Sequence, residues 1–119
     1  MKIYVKISAL SFVFFSFLVS AQAGDVVKGK AIFDRLCFHC HKPSYDDKFA
    51  PGLAGITERR DTEWLHSFLQ NPSKMLKHDE YAQNLKASNP YNLTMPTLPE
   101  LQDKQNREDI IAYLDTLDK

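Results

Sequence analysis

The segment Cys37-Phe38-His39-Cys40-His41 constrains this chain more than any other part of the sequence. In a helical turn, side chains three and four residues apart lie on one face, so Cys37, Cys40 and His41 would converge there. Each thiol can add to one vinyl group of a haem, while the imidazole meets the iron from the same side. Because a Cys-x-x-Cys-His pattern is typical of c-type haem attachment, the sequence predicts one covalently bound haem c.

Two other readings of the motif stay open from the residues alone. A thiol-disulfide enzyme would carry the cysteine pair after a β-strand, at the start of a helix, whereas the pattern before Cys37 is helical. A zinc site would need two more ligands than the two thiols. Only His41 and a distant histidine could supply them, which makes zinc the weaker alternative.

The first 23 residues have the pattern of a secretory signal peptide. A short basic start precedes an apolar run over residues 7–20, and Ala21-Gln22-Ala23 places small residues at the cleavage-site positions. The alternative is a membrane anchor, but the run is shorter than the ~20 residues that a spanning helix needs. We therefore expect cleavage after residue 23, a periplasmic location and one domain over residues 24–119.

Composition limits the function of this domain. The chain has 15 basic and 15 acidic residues. The only charged side chains in the predicted leader are two lysines, so the mature domain has a slightly negative net charge. A nucleic-acid partner is therefore not expected. The two cysteines both lie in the motif, where haem attachment would occupy them. A domain this small has a modest core, so a large apolar cofactor would supply much of its stability. The chain without haem is expected to be poorly folded.

Apolar residues recur with the helical period in four parts of the chain, which predicts an all-α domain. A capping side chain precedes each predicted helix: Asp25, then Asp61 or Thr62, then Ser73, and last Asn106. Residues 42–60 lack this periodicity and form a loop, of which the apolar part, residues 50–55, is expected to turn inward. Prolines hold residues 89–99 in an extended path.

The second axial ligand of the iron is the main open question. Five side chains are candidates: Met75, Met95, His39, His66 and His78. Met95 lies in the proline-stiffened loop, where a rigid backbone can hold a thioether against iron. Met75 lies in a helical pattern, where a packing role is expected. His39 would project away from His41, and the other two histidines have polar neighbours and are expected to be solvated.

The sequence therefore favours Met95, with a histidine as the alternative. Ligation by His41 and Met95 would raise the reduction potential relative to two histidines and leave no open coordination position on the iron. Such a site transfers electrons, so no enzyme activity is expected.

Taken together, these features resemble small bacterial class I cytochromes c. Gly29-x-x-x-Phe33 ahead of the haem motif is similar to the family's first helix, in which the glycine and the aromatic ring meet an aromatic residue of the last helix. Tyr113 matches that residue. Pro51-x-Leu53-x-Gly55 and Met95-Pro96 also match family segments. The segment from about residue 76 to 94 departs from the resemblance, since it is longer than in the smallest members.

The resemblance implies a cytochrome c fold of four to five helices around one haem. It implies that the Pro51 carbonyl accepts the Nδ1 hydrogen bond of His41, which fixes the ring, and that Leu53 packs on the haem face. It further implies that Arg59 or Arg60 lies near a haem propionate.

The expected function is that of a soluble periplasmic electron carrier. It would dock weakly, at its exposed haem edge, onto redox proteins such as a membrane respiratory complex, a dehydrogenase or an oxidase, and be peripheral to a membrane at most. The alternative is an electron-accepting cytochrome subunit of a periplasmic oxidoreductase complex, for instance one that oxidises sulfur compounds. Asn89-Pro90 and Thr94-Met95-Pro96 resemble segments of such subunits.

Overall fold

The computed structural model describes residues 2–3 and 23–117, and within these ranges it is helical and contains no strand. The α-helices are α1 (Val26–Ile32), α2 (Ile56–Arg59), α3 (Thr62–Gln70), α4 (Pro72–His78), α5 (Glu80–Ser88) and α6 (Lys104–Leu114). A π-helical turn (Phe33–Cys37) follows α1, and a 3₁₀ helix (Pro99–Gln102) precedes α6. The all-α prediction is confirmed. The predicted signal peptide lies almost entirely outside the described residues.

Capping side chains set most of the helix starts. Asp25 caps α1 and Asp61 caps α3, as the sequence predicts. Two other predicted caps are wrong. Asn71 rather than Ser73 caps α4, because Pro72 has no N–H and fits the first position of a helix. Asp103 rather than Asn106 caps α6, with its carboxylate accepting hydrogen bonds from two backbone amides of the first turn.

The middle of the chain has more helices than its sequence pattern suggests. The single helix predicted after Asn71-Pro72 is divided into α4 and α5 by Asp79, whose backbone is extended. The short helix α2 lies inside the predicted loop. It begins after Gly55, whose φ of 73° is a left-handed backbone conformation that favours glycine.

The crossing of α1 over α6 positions the haem motif. At Gly29 a Cβ atom would lie 1.9 Å from the Asp109 carbonyl oxygen, so the two helix backbones touch there. One turn later the Phe33 and Tyr113 rings pack with centroids 5.3 Å apart. The predicted contact between the first and last helices is therefore present, and Phe33 is fully buried in it.

Arg107 of α6 is a buried cation that ties the 3₁₀ helix and α3 to the last helix. Its Nη1 donates to the carbonyl oxygens of Leu101 at 2.7 Å and Gln102 at 2.9 Å. Its Nε donates to Nδ1 of His66 at 3.2 Å. His66 is thus half-buried and hydrogen-bonded, not solvated as expected. Burial, and next the charge of Arg107, lower the pKa of His66.

Gly29→Ala should destabilise the protein because its methyl group would overlap the Asp109 carbonyl and force α1 away from α6. We expect a loss of about 1–3 kcal/mol in the free energy of unfolding, measured by guanidinium denaturation of the haem-loaded protein. Lys28→Ala, on the exposed face of α1, is the control and should change stability by no more than about 0.5 kcal/mol. Equal stability of the two variants would contradict the close helix contact.

The His66–Arg107 hydrogen bond predicts a pH dependence of stability. Because the pKa of His66 is lower in the folded chain than the ordinary 6.5, the unfolded chain takes up the proton at higher pH. Stability is therefore full above that value and falls as the pH falls below it. His66→Gln, which keeps a neutral acceptor, should flatten this slope between about pH 8 and pH 5, whereas the exposed His78→Gln should not. Parallel slopes for wild type and His66→Gln would refute this assignment.

Candidate functional site

A largely apolar cavity of about 390 Å³ lies between the haem motif, the 50–55 loop, α3, α5 and the loop after α5. Its volume is within the ~300–1,000 Å³ typical of ligand pockets in proteins. Six of its lining residues are those predicted from the sequence to bind the cofactor: Cys37, Cys40, His41, Pro51, Leu53 and Met95. The fold thus brings together residues that lie up to 58 positions apart in the chain.

The backbone after α1 gathers the three side chains of the motif. The Phe38 amide donates to the Phe33 carbonyl at 3.0 Å, a bond that widens the helix into a π-turn, a feature frequent at functional sites. The Cys37 carbonyl then accepts from the amides of Cys40 at 3.1 Å and His41 at 2.9 Å. This tight turn lets both thiols and the imidazole line one cavity.

The tautomer and the charge of His41 are those that a metal-binding imidazole needs. Its Nδ1 lies 2.7 Å from the Pro51 carbonyl oxygen, so the ring donates there and leaves Nε2 unprotonated. Burial lowers the pKa of His41, an effect that this hydrogen bond partly offsets, and the neutral ring is favoured. The loop that carries Pro51 is itself held to the motif by the Ala50 amide, which donates to the Cys40 carbonyl at 3.0 Å.

Of the five candidates for the second axial ligand, Met95 is the one that lines the cavity. It is half-buried and packs against the apolar core. None of the other four candidates lines the cavity. Met75 lies in α4, His78 is exposed at the end of that helix, and His66 binds Arg107. His39 is exposed, with its Nε2 3.2 Å from the Arg35 carbonyl oxygen.

An aromatic wall of the cavity was not predicted from the sequence. It is formed by Trp64 and Phe68 of α3, whose rings stack at 5.0 Å, and by Tyr81 of α5, which meets Trp64 edge-on at 5.6 Å. The four-residue spacing of Trp64 and Phe68 on one helix face signalled burial. It carried no information about what that face would contact, because Tyr81 joins the wall from another helix.

The two neighbouring arginines have different positions. Arg59 lines the cavity, and its Nη1 donates to the Ala54 carbonyl at 3.0 Å. Arg60 instead places its guanidinium over the Tyr81 ring, 4.0 Å from the centroid. Of these two cationic side chains, only Arg59 lines the cavity.

The two alternative readings of the motif do not fit this site. Burial, and then the charge of Cys40, raise the pKa of the Cys37 thiol to about 11. Thiol-disulfide enzymes instead depend on a cysteine with a lowered pKa. For zinc, the described ranges contain no cluster of three or more His, Cys, Asp or Glu side chains able to hold a metal ion. Two thiols and a neutral imidazole beside an apolar cavity fit a haem.

Known proteins resemble this chain in sequence and in fold. The chain is 30% identical over 109 residues to cytochrome c2 from Rhodopila globiformis, an alignment that covers 82% of this chain and 98% of the relative. Among solved structures, a cytochrome c from Rhodothermus marinus superposes with a TM-score of 0.69 at 21% identity, covering 77% of this chain and 75% of that one. A cytochrome c domain from Pseudomonas putida superposes with a TM-score of 0.61 at 29% identity, covering 73% and 84%.

The Cytochrome c family matches residues 26–118, which is nearly all of the predicted domain. The match includes the haem motif and all the residues that line the cavity. Together with the cytochrome c2 relative, it shows that the chain belongs to the cytochrome c family, as a class I c-type cytochrome whose cofactor is covalently bound haem c.

Proposed function

We propose that this cytochrome is a soluble periplasmic carrier of single electrons whose haem is ligated by His41 and Met95. The observation that carries the proposal is that one apolar cavity is lined by both cysteines, by His41 and by Met95. When bound, the haem supplies a one-electron iron couple. Cys37 and Cys40 would hold it through thioether bonds, and Leu53, which lines the same cavity, would pack on its face.

The ligand pair decides what the site can do. A thioether and a neutral imidazole would leave a bound iron with no open coordination position and would favour its ferrous state more than two imidazoles would. This supports electron transfer over catalysis. The Pro51 carbonyl keeps the imidazole in the ligating tautomer, and Arg59 at the cavity wall would supply a cation for a haem propionate.

Electrons would pass beside Cys40, where the site reaches the surface. Cys40 is exposed. Phe38, two residues before it, is half-exposed, and so are Phe49 and Tyr91. The Phe49 and Tyr91 rings are in contact at 5.5 Å, and the Lys48 ammonium lies 4.8 Å from the Phe38 centroid. Contiguous exposed apolar rings are typical of protein-interaction sites, which supports transient docking of redox proteins here.

The proposed location has two supports. The sequence has the pattern of a cleavable leader before residue 24, and a relative matched over 98% of its own length is a cytochrome c2. Within residues 2–3 and 23–117, the structure has no helix with both the length and the apolar character to cross a bilayer.

Replacing Met95 tests the ligand assignment. In protein from a host that matures c-type haem, the oxidised wild type should show the weak far-red band of sulfur bound to ferric iron. Met95→Ala should lose this band because the ligating sulfur is gone, whereas the matched Met75→Ala should keep it. If the band survives in Met95→Ala and vanishes in Met75→Ala, the assignment is wrong.

Chromatography of native extract tests the carrier role. A free carrier should elute on size exclusion near the mass of the mature chain, with its haem absorbance in that fraction. Washed membranes from the same cells should then oxidise or reduce it. Stable co-elution with a catalytic protein would instead make it the cytochrome subunit of an oxidoreductase complex.

A further inference from the structure

Asp79 connects two walls of the haem cavity through one carboxylate. It lies at the break between α4 and α5, where its Oδ1 accepts the Ala82 amide at 2.8 Å and caps α5. Its Oδ2 accepts the indole N–H of Trp64 in α3 at 3.0 Å. Because Trp64 and Ala82 both line the cavity, this side chain fixes the start of one wall helix and the indole orientation on the other.

The indole that Asp79 holds is the centre of the aromatic wall. Trp64 lies flat on Phe68, with an angle of 13° between the ring planes, and meets Tyr81 at 84°. The Arg60 guanidinium lies 4.0 Å from the Tyr81 centroid and 5.8 Å from that of Trp64. A rotated indole would therefore disturb all three rings, whereas a fixed one gives the cofactor a rigid surface.

The charge of Asp79 is not neutralised by direct contact. Both of its hydrogen bonds come from uncharged N–H groups, and none of the salt bridges between described residues involves it. Its carboxylate is half-buried, so solvent screens its charge less than that of a fully exposed group. Ferric haem carries one more positive charge than ferrous haem, and a nearby anion stabilises the ferric form.

We propose that Asp79 is a positioning residue for electron transfer, which holds Trp64 against the haem and lowers the reduction potential through its charge. This inference rests on the proposed haem site in the same cavity. It also concerns Met95, because the loop that carries Met95 begins where α5 ends. A start of α5 that is not fixed would leave that loop less well held.

Two substitutions separate the charge of Asp79 from its hydrogen bond. Trp64→Phe keeps an aromatic ring but removes the N–H donor. In that background, Asp79→Asn keeps a helix cap and removes only the charge, so the reduction potential should rise in a redox titration. Asp25→Asn is the matched control, because it neutralises another helix-capping aspartate, at the end of α1 away from Cys37, and should leave the potential unchanged.

The positioning role of Asp79 is tested by following the absorbance of the far-red band while the protein is heated. In Trp64→Phe and in Asp79→Ala the band should fade at a temperature clearly below global unfolding, which circular dichroism reports independently. In wild type and Asp25→Asn the two losses should coincide. Adding Trp64→Phe to Asp79→Ala should cause little further change, because both remove the same bond.

Two results would overturn the inference. An equal potential in Trp64→Phe with and without Asp79→Asn would exclude the charge effect, and a band in Asp79→Ala as persistent as in Asp25→Asn would exclude positioning. A wild-type protein with bound haem but no far-red band would refute Met95 ligation instead. The potentials of the variants could still be compared in that case, so the two failures are distinguishable.

Discussion

The structure depends on the close approach of α1 and α6. Their backbones touch at Gly29, and the Phe33–Tyr113 pair fills the space beside that contact. This crossing fixes the direction in which the chain leaves α1, and so the direction in which the π-turn presents Cys37, Cys40 and His41. A haem tethered at two points can be held in one orientation only if the turn that carries the thiols does not move.

The cavity gives a physical reason for the expectation that the chain is poorly folded without haem. The core residues of α3, α5 and α6 present apolar side chains toward a space that the chain itself leaves open. A small domain buries too little of its own surface to be strongly stable. A large apolar group in this space would complete the core, so the cofactor would be part of the packing as well as the redox centre.

The features that could be predicted from the sequence are those that depend on residues close together in the chain. The haem motif, the caps Asp25 and Asp61, and the proline-rich loop around Met95 depend on neighbouring residues, and their positions agree with expectation. The break at Asp79 could not be predicted in this way. Its extended backbone is favoured by a hydrogen bond from Trp64, 15 residues earlier, and no local pattern contains that partner.

Two further differences have equally physical reasons. The helix α2 has four residues, too few for a hydrophobic period to be visible. Arg59 and Arg60 are adjacent and chemically identical, so only the fold separates the one that faces the cavity from the one that covers Tyr81. Residues that act on the cofactor through a neighbour, such as Asp79, leave no signature in a single sequence.

The two loops that flank the cavity mouth are tied to each other. The side-chain amide of Asn89 donates to the Phe49 carbonyl at 2.9 Å, and the Tyr91 ring meets the Phe49 ring edge-on. One of these loops continues to Met95, and the other continues to Pro51, the partner of His41. A frame that links the surroundings of both proposed axial ligands would limit how far these two side chains shift when the charge of a bound iron changes. The reorganisation energy of electron exchange would then be small, and a brief encounter with a redox partner would be long enough for the electron to cross.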